Sequence, residues 1–423
     1  MDSFENLPVT WLVMLLFCVS PLSTASAQDG NFDSLTLRQA VAMTVKNNPE
    51  LAAVDWTVKG HLAASRQASR WDNPELEIEV EEFGIDRSWG AESDFTVAIT
   101  QSFPLGSRRS KESAARRAAA RTERARGEVA KAQLLARLRM AFYHAVAARE
   151  RAAVQAEAYV IAQQVFESVQ ARIEAGDIPP AELQRAHTDI LRSKLALQDA
   201  RAEYLAALGA LAVFWSGKNS AISSVSGSLP VPQDSFAPPS EPTNPHLQLV
   251  AAQTDQAQAV VALEQSKSIP DLTVGLGYQG LQGFQDSALV LLFSVPIPAF
   301  DRNGAGADAA RAEKRALEFQ ARGQANRLDS SLAVHVGRRA ASAAKHRALV
   351  SSLLPSVQKT YAKVQEGFAE GRFGTLDLLE AKKQLIETRF TVIDAALEYN
   401  LAQAQVAYLA GDLAFLTSGE NHE

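Results

Sequence analysis

From Glu75 to Glu81 acidic and apolar residues alternate without a break. Leu76, Ile78 and Val80 point one way and Glu75, Glu77, Glu79 and Glu81 the other, the period of a strand with one oily and one polar face. Phe95 to Phe103 alternates again, with Phe95, Val97, Ile99 and Phe103 opposite Thr96, Ala98, Thr100 and Ser102. Further on, Leu272, Val274, Leu276 and Tyr278 oppose Thr273, Gly275 and Gly277, and a fourth segment, about 287–295, is apolar on both faces. Prolines bracket each hairpin, at Pro74 and Pro104 and at Pro270, Pro296 and Pro298, where a helix can end and a strand begin at little cost.

The remaining pattern is helical. Leu35 to about Trp71 reads as helix broken near Asn48-Pro49. Ser107 to about Glu174 has no proline, a single glycine and apolar positions at three-four spacing such as Leu135, Leu138, Phe142 and Ala145. At 1.5 Å per residue this is a helix of roughly 100 Å. A glycine turn at Gly176 leads into a return helix, Ala181 to Trp215. The design then repeats, with Gly304 to Phe368 as the long helix, a turn at Gly371 and a return helix from Leu376 to Phe415. Asn48-Pro49-Glu50-Leu51 answers Asn244-Pro245-His246-Leu247, and Gly176 answers Gly371, at an offset of about 195 residues. A fixed offset marks a duplicated body. The expected division is a leader over 1–27, a first repeat over 28–217, a proline- and serine-rich linker over 218–243, a second repeat over 244–416 and a tail over 417–423.

Composition supports close-packed helices, since 47% of the 423 residues are apolar but only 7% aromatic, and alanine supplies much of the difference. The apolar stretch 8–19, holding the single cysteine Cys18, precedes Ala25-Ser26-Ala27 in the order of a signal peptide with its cleavage site. Asp2 and Glu5 stand where basic residues are usual, which leaves a misassigned start or an N-terminal anchor as alternatives. Removing 1–27 leaves 42 bases against 46 acids, a net charge of −4, and no cysteine for a disulfide or thiolate metal site. No later segment has the ~18–20 apolar residues of a spanning helix, so any membrane role falls to the strands. Four strands are too few to close a spanning barrel, which needs about eight, so subunits would share one.

These features together resemble the TolC-like outer-membrane channels of tripartite export systems. The resemblance covers nearly all of the mature chain and is nearest to the heavy-metal, cobalt-zinc-cadmium branch. The residues that carry it are Asn73-Pro74-Glu75-Leu76, Leu105-Gly106-Ser107-Arg108-Arg109, Ala175-Gly176-Asp177-Ile178-Pro179-Pro180 and Pro296 to Asn303. It implies a mainly α fold with a small membrane β part. Duplicated long-helix hairpins form a periplasmic α-barrel, and four strands per protomer enter a shared, homotrimeric, twelve-stranded outer-membrane β-barrel. Implied partners are a periplasmic adaptor, an inner-membrane proton-driven pump of the RND type and outer-membrane lipid.

Asp377 and Glu380, three apart on one helix face, align with the paired acids at the family's periplasmic constriction, where three copies would make a ring of six carboxylates. Glu182 and Arg185 hold the corresponding place in the first repeat, as a pair able to tie neighbouring helices. The Glu75, Glu77, Glu79 and Glu81 row would face the lumen and favour cations. Gly176 and Asp177, with Gly371 and Arg372, would form the adaptor-contact loops, and they depart from the valine-glycine-threonine pattern of multidrug members.

Other motifs carry no chemistry. Gly275-Leu276-Gly277-Tyr278-Gln279-Gly280 spells a dinucleotide fingerprint but lies in a strand pattern with no helix after it. Asp301 to Gly306 opens like a calcium loop and then places Ala305 and Ala312 at ligand positions. The seven histidines show no paired helical spacing, and Met43 and Met140 are the only mature methionines. The basic run from Arg108 to Arg126 is broken by alanines and acids, which argues against nucleic acid. No cofactor and no catalytic arrangement is expected. Three readings follow: a channel for divalent metals, the same channel for organic drugs or a secreted polypeptide, or a periplasmic coiled-coil adaptor or scaffold.

Overall fold

The computed structural model describes residues 34–81, 94–215, 222–232, 244–281 and 286–418. The expected leader, most of the linker and the end of the tail lie outside them. The helices are α1 (Leu37–Asn47), α2 (Pro49–Ala68), α3 (Arg108–Glu174), α4 (Ala181–Ala212), α5 (Pro245–Ser266), α6 (Gly304–Ala348), α7 (Leu354–Ala369), α8 (Thr375–Ala410) and α9 (Leu413–Thr417). The strands are β1 (Glu75–Glu81), β2 (Asp94–Phe103), β3 (Leu272–Leu281) and β4 (Asp286–Ser294). They form one antiparallel sheet in the order β1-β2-β3-β4, so the two hairpins meet along β2 and β3.

The duplication is visible in single hydrogen bonds. Asn48 caps α2 by accepting from the Glu50 amide (2.9 Å) and donates its own side-chain amide to Phe214 O (2.9 Å). Asn244 caps α5 from the His246 amide (2.9 Å) and donates to Leu409 O (2.6 Å). Each asparagine therefore fastens the start of its repeat to the end of the same repeat. Where strand becomes long helix, Ser107 (φ 60°) and Asn303 (φ 52°) take the left-handed conformation in equivalent places. Asn303 is held there by its side-chain amide, which donates to Glu264 O (2.9 Å) and Oε2 (2.8 Å). Hydrogen bonds from Lys267 first, and then from Asn303, keep the Glu264 carboxyl below its ordinary pKa.

Sheet register separates two faces. Leu76, Ile99, Leu276 and Leu291 lie in one row, and Ile78, Val97, Tyr278 and Leu289 in the next, all on the oily side. The opposite rows run Glu75, Thr100, Gly275, Leu292 and Glu77, Ala98, Gly277, Val290. This resolves the two-sided oiliness of β4, because its inner apolar residues sit beside the glycines of β3. A β-carbon at Gly277 would lie 2.9 Å from Ala98 Cβ, and one at Gly275 2.8 Å from Thr100 Cγ2. The fingerprint-like Gly275 to Gly280 run is thus a strand whose small residues let its neighbours pack closely on the inner face of the sheet.

The main core lies between α3 and the return helices, where Leu135, Leu138, Phe142 and Tyr143 of α3 meet Leu211, Trp215, Leu397 and Leu416, with Leu35 and Leu37 packed in. Arg139 is buried inside it. Its Nη2 donates to Ser418 O, and its guanidinium lies 4.0 Å from the Phe415 ring centroid. Burial lowers its pKa, partly offset by the neighbouring Tyr143 hydroxyl.

Three helices differ from expectation, the smallest difference being the first return helix, which ends at Ala212 rather than Trp215. The second return helix stops at Ala410 rather than running to Phe415, because Gly411 adopts φ 76° and packs against Asn244, where a β-carbon would come within 2.7 Å of Asn244 Cα. The second long helix does not simply repeat the first, since a π-helical turn, Leu349–Leu353, separates α6 from α7. Pro355 explains it. Proline has no amide hydrogen and its ring collides with the carbonyl four residues back, and a wider turn over Ser351 removes both conflicts.

Candidate functional site

The long helices end in the same loop built twice. Gly176 (φ 80°) donates to Ile173 O (2.9 Å), and Asp177 reaches back to Arg172 O (2.9 Å). Gly371 (φ 78°) donates to Phe368 O (3.1 Å), and Arg372 to Gly367 O (2.7 Å). This is the left-handed helix stop that glycine makes at low cost. At Gly176 a β-carbon would meet nothing within 4 Å, so backbone conformation alone asks for glycine there. Asp177 and Arg372 are exposed at the loop surface, and Arg372 pairs with Glu370.

Arg172 joins the two loops. Its Nη1 donates to Phe368 O (2.8 Å), its guanidinium lies 4.9 Å from the Phe368 ring centroid, and its Nε is 3.9 Å from Asp177 Oδ2. Beneath it Val165, Val169, Ala186, Phe368 and Leu378 form a small apolar core of their own. The tip is therefore a packed unit rather than a pair of loose turns.

Asp377 and Glu380 stand exposed on the first turns of α8, while Leu378 and Ala381 between and after them are buried. Spacing alone indicated this shared face. Asp377 also has a local role, since its Oδ2 accepts from the Gly374 amide (2.9 Å) and closes the helix start, where negative charge is favourable. Arg185 Nη1 donates to Glu182 Oε1 (2.8 Å), but both belong to α4. Within the protomer that pair runs along one helix and ties no two together, as expected of residues three apart.

The link between return helices is made elsewhere. Lys382 of α8, only 4% exposed, donates from Nζ to Asp189 Oδ2 (2.6 Å) and Ser193 Oγ (3.1 Å) of α4. Neither partner nor Arg172 stands out in the local pattern. The only signal was arithmetic, because Lys382 and Asp189 lie 193 residues apart and Arg172 and Phe368 lie 196 apart, close to the repeat offset.

Glu75, Glu77, Glu79 and Glu81 are all exposed on one face of β1, the edge strand of the sheet. Among the described residues, no group of three or more histidine, cysteine or acidic side chains could hold a metal ion, and no helix is long and apolar enough to cross a membrane.

The family model described as outer membrane efflux protein matches residues 40–217 and 241–412. The chain is 28% identical over 376 residues to the cobalt-zinc-cadmium resistance protein CzcC of Cupriavidus metallidurans, covering 84% of this chain and 85% of that one. It is 26% identical over 332 residues to the nickel-cobalt-cadmium resistance protein NccC of Alcaligenes xylosoxydans xylosoxydans, covering 78% and 74%. The crystal structure of CusC, described as forming a transmembrane channel, superposes with a TM-score of 0.74 over 90% of this chain and 93% of that one, at 16% identity. Matched twice, repeat by repeat, and sharing the architecture of long helices and a four-stranded sheet, the chain belongs to the outer membrane efflux protein family and has the TolC-like channel fold.

Proposed function

We propose that this channel is the outer-membrane exit duct of a tripartite, proton-driven efflux system of the RND type and that its cargo is divalent heavy-metal cations. The observation that carries the cargo reading is the placement of its carboxylates, a row of four on one face of β1 and an exposed pair at the start of α8. The resistance proteins for cobalt, zinc, cadmium and nickel to which the chain is similar support it. The duct is a homotrimer in which three four-stranded sheets close one twelve-stranded barrel, since the exposed edges β1 and β4 need partners. The loops at Gly176 and Gly371 meet the periplasmic adaptor, and the energy comes from the pump.

Three copies of Asp377 and Glu380 would crowd six carboxylates at the narrow end, attractive to cations and mutually repulsive when empty. The variant Asp377→Asn with Glu380→Gln keeps an oxygen for the Gly374 amide and removes the charge. In a planar bilayer it is expected to show weaker cation preference. Wild-type selectivity in this variant would remove the ring from the reading.

Cargo is tested by growth of a deletion strain on zinc, cadmium, cobalt, nickel and copper salts beside dyes and antibiotics. Sensitivity to metals, reversed by the intact gene, is the expected result. Sensitivity to organic compounds alone would keep the channel and overturn the cargo.

A further inference from the structure

The oily face of the sheet does not end where the strands end. On β4 it runs through Leu289 (79% exposed), Leu291 and Phe293, then continues in the same alternation through Val295 to Ile297 (86% exposed), with Phe300 fully exposed beyond. On β2 it runs through Val97 and Ile99, is interrupted by Gln101, whose amide donates to Asp72 O and Ser102 O, and resumes at Phe103 and Leu105. Trp71 stands edge-on to Phe103, with ring centroids 5.6 Å apart and planes at 71°. Arg109 in turn lies over Trp71, its guanidinium carbon 3.4 Å from the ring centroid. Phe103, Trp71 and Arg109 therefore form a path from the lipid-facing sheet to a cation.

The neighbouring cations are already engaged. Arg108 pairs with Asp271 (2.8 Å), Lys267 with Glu264 (2.7 Å), and Arg302 Nε donates to Pro298 O (3.2 Å). Arg109 has no carboxylate partner among the described residues; its Nη1 is buried without a hydrogen-bond acceptor there, so the half-buried side chain has only the rest of its guanidinium to offer a phosphate. A guanidinium held flat on an aromatic ring is weakly hydrated and pre-organised, the form in which arginine grips phosphate through paired N–H groups. Tryptophan and arginine side by side at the edge of an apolar band match the polar boundary of a bilayer.

We propose that Arg109 and Trp71 form a phospholipid headgroup site at the periplasmic rim of the barrel, with Arg109 taking the phosphate and Phe103, Leu105 and Trp71 lying against the acyl chains. Continuity with the lipid-facing rows makes the occupant a phospholipid rather than a soluble phosphate. The inference uses the outer-membrane position of the sheet and is independent of the cargo.

The test uses the full protein in phosphatidylcholine vesicles carrying a minor fraction of phosphatidylglycerol with brominated chains, which quench nearby indole fluorescence. The Trp71 signal is the difference between wild type and Trp71→Phe. It is expected to be quenched more by brominated phosphatidylglycerol than by the same fraction of brominated phosphatidylcholine. Arg109→Gln should reduce that preference about tenfold, the worth of a charged hydrogen bond, and Arg109→Lys, which keeps the charge without the flat stack, should reduce it less. An unquenched Trp71 in the wild type would overturn the site without recourse to any Arg109 variant. So would an undiminished preference in Arg109→Gln, or loss of the wild-type preference on adding inorganic phosphate.

Discussion

Replacing Lys382 with methionine is expected to loosen the contact between the return helices α4 and α8 and raise the channel's resting leak. The lysine is buried between the return helices and spends its charge on Asp189 and Ser193. Methionine fills much of the aliphatic volume but leaves Asp189, one-quarter exposed, without its partner. Breaking one side of a buried ion pair costs about 3–5 kcal/mol, and Asp189, being partly solvated, places this variant at the lower end. Asp189→Asn strands the more deeply buried ammonium and should cost more. Where α4 and α8 meet only over this short stretch, such a loss shifts a closed-to-open equilibrium by roughly two orders of magnitude. Single-channel conductance in planar bilayers, beside entry of a large antibiotic into intact cells, reads the effect. The double variant Lys382→Met with Asp189→Leu should recover most of the melting temperature, since an apolar pair can replace a buried ionic one. Closed-state conductance of Lys382→Met equal to wild type would show that the contact is only one of shape.

Gly277→Val is expected to abolish assembly in the membrane. Its first added carbon would sit 2.9 Å from Ala98 Cβ and 3.2 Å from Val97 O, and Ala98 is only 2% exposed with nowhere to retreat. Overpacking of this kind costs about 1–3 kcal/mol when side chains can adjust. Here one of the obstacles is backbone, on the seam where the hairpins of the two repeats pair, so the cost should exceed that range. Leu276→Val, one residue away on the lipid face, changes little and serves as the control. Outer-membrane fractions should contain the control at wild-type level and very little of the glycine variant. Equal amounts of both would mean that the curled inner face tolerates bulk.

Much of this was legible in residue order. Leu76, Ile78 and Val80 against four glutamates fix a two-faced strand with no help from the rest of the chain, and Gly176 and Gly371 announce the two helix stops. Asp377 and Glu380 could be placed on one face by spacing alone. What escaped has a common cause. The contacts of Lys382, Arg172 and Arg108 join residues 163 to 196 positions apart and depend on how helices lie against one another, which no short window encodes. The π turn escaped differently, since Pro355 is plain in the sequence but whether it kinks, ends or widens a helix is settled by packing. Alternation puts Gly277 on the inner face of its strand but gives no reason for glycine there, because its purpose is to be small opposite Ala98.

The π turn also distinguishes the two kinds of long rod. It lies about twenty residues from Gly371, roughly 30 Å above the tip, and α3 has no counterpart. In a trimer three of the six long rods would carry a compliant joint at the same height and three would be stiff throughout. An aperture built this way would dilate as an iris with three leaves, turning at a fixed latitude while the alternate staves hold the wall in place.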